Sequence, residues 1–146
     1  MVNQHSGTYL GFDFGTRKIG VAVGQRLTGT ASPLETIRSE KKSVRWQAID
    51  RLVATWQPEG LVVGIARQID GQDNPVTPLM QKFCRQLEGR YRLPVFAMDE
   101  HLTSFESRQL LFDELQLHAG KVKALNDQVA AQLILQSWLN LQRDAA

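Results

Sequence analysis

The chain opens with two apolar runs on either side of a short polar turn. Thr8-Tyr9-Leu10-Gly11-Phe12-Asp13-Phe14 reads as a buried strand, Gly15-Thr16-Arg17-Lys18 as the turn, and Ile19-Gly20-Val21-Ala22-Val23 as a second strand. Residues Thr28 to Ile37 are expected to form a third, with Pro33 suiting the edge of a sheet. From Ser43 to Trp56 the apolar residues Val44, Ala48, Leu52 and Trp56 recur at helical spacing, Ile49 and Val53 widen the stripe, and Pro58 to Gly60 end it. Leu61 to Ile65 is a continuous apolar run, as befits a strand covered on both faces. Thr77-Pro78 opens a second helix whose inner face is Met80, Phe83, Leu87 and Tyr91. Val95 to Met98 is a further short strand that ends abruptly in Asp99-Glu100. Thr103 and Glu106 have capping-box spacing for a third helix reaching Leu115. Residues Gln116 to Asn126, with Gly120, Lys121 and Lys123, carry a weaker pattern and read as a mobile basic loop before a last helix from about Asp127 to Gln142.

Three strands in a meander, then strands alternating with helices, predict an α/β fold. The expected sheet is five-stranded and mixed, in the order 3-2-1-4-5, with helices on both faces and the first strand central. That is a ribonuclease H-like arrangement. At 146 residues the chain is expected to be a single domain over 1–146, with residues 1–7 as an N-terminal tail.

Composition narrows the setting. One cysteine, Cys84, excludes an internal disulfide and suits a reducing compartment. No stretch resembles a signal peptide or a membrane span, so a soluble, cytoplasmic protein with no membrane partner is expected. Up to Arg67 there are nine Lys and Arg against five Asp and Glu, and beyond it eight against ten. A basic rim around an acidic centre is compatible with a polyanionic substrate.

Asp13 is the residue that most constrains the chemistry. A carboxylate within an apolar strand needs a cation or hydrogen-bond donors, and it is expected either to hold a metal ion or to pair with Arg17 or Lys18 in the core. Two more acids fall where this topology would gather them. Glu100 follows the last strand, at the sheet edge where open α/β folds bind ligands, although Asp99 beside it is an alternative. Asp127 lies on the same helical stripe as Ala130, Ala131 and Ile134. Those alanines allow close approach to Gly11, Gly20, Ala22 and Gly24 on the first two strands. Three converging carboxylates repel one another unless a divalent ion neutralises them. Two Mg2+ or Mn2+ ions about 4 Å apart would activate a water and stabilise a leaving oxygen at a phosphodiester.

On these residues the chain resembles the YqgF-type proteins, a ribonuclease H-like branch described as candidate Holliday junction resolvases and pre-16S ribosomal RNA nucleases. The likeness runs from about Leu10 to Trp138. It is carried by Gly11 to Val23, by Val63-Gly64 with Asp70-Gly71, by Asp99-Glu100 with Leu102-Thr103-Ser104, and by Asp127 with Ala130-Ala131 and Ile134-Leu135. The resemblance implies that the metal acids are Asp13, Glu100 and Asp127. Two positions depart from the family pattern: His101 stands where arginine is usual, and Ala66 where proline is. A histidine gives only a partial, pH-dependent charge for phosphate.

The expectation is a cytoplasmic, metal-dependent nuclease acting on structured nucleic acid, with 5′-end processing of pre-16S rRNA as its reaction. Arg17 and Lys18 would meet the scissile or adjacent phosphate, Lys121 and Lys123 the flanking backbone, and His101 a phosphate near the metals. A DNA junction resolvase is the nearest alternative, and the chain is expected as a monomer or a homodimer. An actin-like phosphotransfer protein would need a second jaw around its nucleotide, and a non-catalytic assembly factor would have no need of intact acids.

Overall fold

The apolar runs form the strands expected of them, and their alternation decides which helix covers each face. The computed structural model describes residues 7–65, 77–99 and 119–145, with side chains over 7–64, 78–98 and 128–142. In chain order the elements are β1 (Thr8–Phe14), β2 (Lys18–Gln25), β3 (Thr30–Arg38), α1 (Lys42–Trp56), β4 (Gly60–Ile65), α2 (Thr77–Tyr91), β5 (Val95–Asp99) and α3 (Ala119–Ala145). The five strands make one sheet in the order β3-β2-β1-β4-β5, as the sequence predicts. The pairs β1–β2 and β2–β3 are antiparallel, and β1–β4 and β4–β5 are parallel.

Successive side chains on a strand point to opposite faces. Leu10 and Phe12 of β1, with Ile19, Val21, Leu61 and Val63, therefore pack under α1 and α2, against Ile49, Leu52, Phe83 and Leu87. Tyr9, with Ala22, Ala31, Val62 and Met98, lies on the other face under Ala131, Ile134, Leu135, Trp138 and Leu139 of α3. Phe83 is the hub of the first layer, 5.8 Å from Phe12 and 4.8 Å from Phe14 between ring centroids. Pro33 sits on the edge strand, beside a register shift between Val21 and Ala22. Cys84 is half-buried, and burial pushes its thiol pKa up, which suits a small core residue.

One expectation about the elements is overturned. The last helix begins at Ala119, so Lys121 and Lys123 belong to its first turns and not to a mobile loop, and Asp127 lies inside the helix and does not open it. The residues concerned, Ala119-Gly120-Lys121-Val122-Lys123-Ala124-Leu125-Asn126, include strong helix formers with Gly120 near the free end. Weak amphipathic periodicity there is not weak helical propensity. The helix expected over Thr103 to Leu115 and the segment containing Asp70-Gly71 lie outside the described residues.

Candidate active site

Asp13 is the penultimate residue of β1, half-buried, at the end of the sheet where the parallel strands β4 and β5 also finish. It shares a face with Tyr9 and Gly11, and that is the face covered by α3. Across the antiparallel pair its partner is Gly20, which presents no side chain beside the carboxylate.

The seating of α3 on β1 fixes what lies opposite. The Tyr9 ring meets Trp138 at 4.7 Å. Two residues further along the strand, a Cβ on Gly11 would come within 2.7 Å of Leu135 Cβ and 3.2 Å of the Ala131 carbonyl oxygen. Strand and helix thus run antiparallel, and each step of two strand residues, about 6.6 Å, matches a little more than one helical turn of about 5.4 Å. The next step leads along the strand to Asp13 and along the helix towards its N-terminal turns, where position 127 lies. Gly24 repeats the close contact on β2, where a Cβ would meet Leu139 Cδ1 at 2.9 Å. The small-residue face read from the sequence is therefore what lets the helix backbone approach.

The other candidates divide into two groups. Arg17 and Lys18 lie in and after the turn that follows β1, both exposed, with the Arg17 guanidinium 3.6 Å from Glu40. Glu100 and His101 lie outside the described residues, as do the side chains of Asp127, Lys121 and Lys123. Among the described residues no three His, Cys, Asp or Glu side chains form a metal-binding group, and Asp13 is the one candidate acid whose side chain belongs to that set. Its chemistry fits Mg2+ or Mn2+: a hard carboxylate oxygen, half-buried at a sheet edge.

Arg45 of α1 is a residue that sequence reasoning missed. Its guanidinium donates to the Gly15 carbonyl and, at 3.4 Å, to that of Thr16, and it lies 5.1 Å from the centroid of the Phe14 ring. Burial lowers its pKa, yet the arginine range leaves it charged at neutral pH. The turn it braces is tight, because a Cβ on Gly15 would stand 2.6 Å from the Lys18 carbonyl oxygen. Arg45 thereby fixes the loop that leaves the Asp13 strand. One cation among several on an exposed helical stretch gives no sign of this until the turn is folded beside it.

Comparison with known proteins gives the family and the fold. A family model described as RuvX, Holliday junction resolvase, matches residues 7–141. A protein of Methylococcus capsulatus named "Putative pre-16S rRNA nuclease" is 50% identical over 141 residues, covering 97% of this chain and 93% of its own length. One of the same name from Methylobacillus flagellatus is 48% identical over 134 residues, covering 92% and 91%. Among solved structures, Thermus thermophilus RuvC in complex with a Holliday junction substrate superposes with a TM-score of 0.64 at 14% identity, over 94% of this chain and 96% of that one. That likeness is one of fold, and the fold is ribonuclease H-like.

Proposed function

Because the chain belongs to the RuvX family of Holliday junction resolvases, we propose that it is a metal-dependent nuclease that hydrolyses phosphodiester bonds in structured nucleic acid. Its proposed reaction is 5′-end processing of pre-16S rRNA in the cytoplasm, the activity for which its close relatives are named. No described helix is long and apolar enough to cross a membrane.

Asp13, Glu100 and Asp127 would hold two Mg2+ or Mn2+ ions. Such ions, when bound, supply an activated water and charge stabilisation at the leaving oxygen. The protein's part is to orient and to bind. Asp13 offers its carboxylate from a strand end that Arg45 braces on one side and α3 covers on the other. β5, whose Phe96 stacks on Trp138 and whose Met98 packs with the α3 layer, leads to the third acid, taken as Glu100 with Asp99 as the alternative. Arg17 and Lys18 would meet the phosphate nearest Asp13, with Lys121, Lys123 and His101 on flanking phosphates.

The single observation that supports this reading is the close seating on Gly11, in the strand that carries Asp13, of α3, the helix that carries Asp127. The test is cleavage of a precursor rRNA fragment and of a four-way DNA junction by the purified protein with Mg2+ or Mn2+. Asp13→Asn should abolish cleavage while leaving the metal-free fold as stable as before or slightly more so, because a like-charge repulsion is relieved. A large loss of stability would return Asp13 to a structural ion pair. Failure of the wild type to cleave either substrate would favour an assembly factor without turnover.

Junction resolution is the second reading, favoured by the family description and by the RuvC fold. Symmetric cleavage needs two sites in a dimer. A strictly monomeric protein that processes the RNA and leaves the junction intact would remove it.

A further inference from the structure

We propose that the cleft between α1 and α2 seats one unpaired nucleotide of the substrate strand, with its base against Phe14, Trp46 and Phe83 and its phosphate against Lys42 and Lys82. This deepens the nuclease reading and rests on it. The cleft lies on the face opposite Asp13 but at the same end of the sheet, because Phe14 follows Asp13 directly and its side chain points the other way. It encloses about 90 Å3 and is open on one side. Its floor is aromatic. Phe14 and Trp46 stand 4.8 Å and 5.7 Å from Phe83, both tilted, and Leu79, which is 45% exposed, forms part of the mouth.

The rim has the opposite character. Lys42, Arg45 and Lys82 line the cleft, and no acid among the described residues does. On the same two helices Arg51 is paired with Glu35 and Arg90 with Asp50, so an unmatched cluster is not the rule there. Among the described residues Lys42 and Lys82 have no ion-pair partner and the buried Arg45 Nε has no hydrogen-bond partner. An aromatic floor beside Lys42 and Lys82, which carry no matching charge, is complementary to a flat π system that carries a negative charge. A nucleotide supplies both, and Gln86 on the wall offers an amide donor and acceptor to a base edge. The small volume limits the occupant to one base. An acidic peptide would match the lysines but leave the aromatic floor unused.

A single strand crossing the sheet edge could therefore place a base in the cleft and a neighbouring phosphate near Asp13. Paired strands could not. The experiment uses a thiouridine-substituted single-stranded oligoribonucleotide, and the same strand fully paired, each with the full-length protein in Ca2+ to block cleavage. Photocross-links mapped by mass spectrometry should fall on Trp46, Phe14 or Phe83 with the single strand and be absent with the duplex. The exposed pair Lys42→Ala and Lys82→Ala should together lower the magnitude of the salt slope of single-strand binding by about 0.7, the share of the one phosphate they hold.

Cross-links that map only elsewhere, or an unchanged slope in the double variant, would overturn the cleft proposal. In that case Asp13-dependent cleavage by the wild type would leave the nuclease reading standing, and the cleft would pass to an acidic protein partner. Failure of the wild type to bind any nucleic acid would overturn both.

Discussion

On the α3 side the sheet offers Gly11, Ala22, Gly24 and Ala31, whereas on the α1 and α2 side it offers Leu10, Phe12, Ile19 and Val21. The first set lets a helix backbone come nearly into contact with the strands. The second holds its helices off by the width of aromatic and branched side chains, and leaves an open cleft at one end. The polar ties differ too. Gln132 and Gln136 of α3 bond neutrally to the backbone of Ala31 on the edge strand and of Gly29 in the turn before it. The helices α1 and α2 are joined instead by an ionic cluster, in which Asp50 accepts from Arg90 at 2.7 and 2.8 Å and from Tyr91 at 2.5 Å. One face is built for the precise placement of a helix, and the other for bulk burial.

Bulk burial should give the largest effect. Phe83 is 3% exposed and touches Phe12, Phe14 and Trp46. Phe83→Ala should cost about 3–5 kcal/mol in urea unfolding, from lost transfer energy and the cavity left behind. A cost under about 1 kcal/mol would mean that this layer collapses readily, and the contrast between the faces would be lost.

A smaller effect on stability, with a larger one on activity, is expected at Gly11. A Cβ there meets the Cβ of Leu135, an atom fixed to the helix and unable to swing aside. Gly11→Ala should destabilise by about 1–3 kcal/mol through overpacking. It should also lift α3 from β1 and separate Asp13 from the turn of Asp127, so that cleavage under fully folded conditions falls at least tenfold. Normal cleavage by the folded variant would show that the close seating serves packing alone.

Much of this contrast was legible in the sequence because it is written in residue size and period. The small residues at Gly11, Ala22 and Gly24 fall at alternate positions of strands that also carry continuous apolar runs, and Ala130, Ala131 and Ile134 recur at helical spacing. Together they indicate a close helix–sheet contact. Strand order followed from two short turns and the later alternation of elements. The start of α3 did not follow, because Ala119 to Asn126 has propensity without an apolar stripe, and only the folded chain shows the helix running through it. Arg45 and the cleft were invisible for another reason. Phe14, Trp46 and Phe83 come from three separate elements, and the role of a cation that braces a turn on another element depends on tertiary position.

The smallest effect is expected from the ionic tie, and it should depend on pH where the neutral tie on the α3 face does not. The hydrogen bonds from Arg90, then that from Tyr91, hold the Asp50 carboxyl down at about 2, against an ordinary value near 3.9 in an unfolded chain. A depressed carboxyl pKa means that the unfolded chain binds the proton more tightly. The stabilisation is therefore complete above about pH 4 and is lost as the pH falls through about 2. Both side chains are well exposed, at 43% for Asp50 and 46% for Arg90, so solvent screening holds the contribution of Asp50 below about 1 kcal/mol. Asp50→Asn should lower the denaturation midpoint slightly at pH 7 and flatten the dependence of stability on pH between about 2 and 4. Gln136→Leu, on the opposite face, should lower the midpoint by a similar amount at every pH in that window. Parallel pH profiles for wild type and Asp50→Asn would show that the cluster carries no net stability, and that burial alone joins α1 to α2.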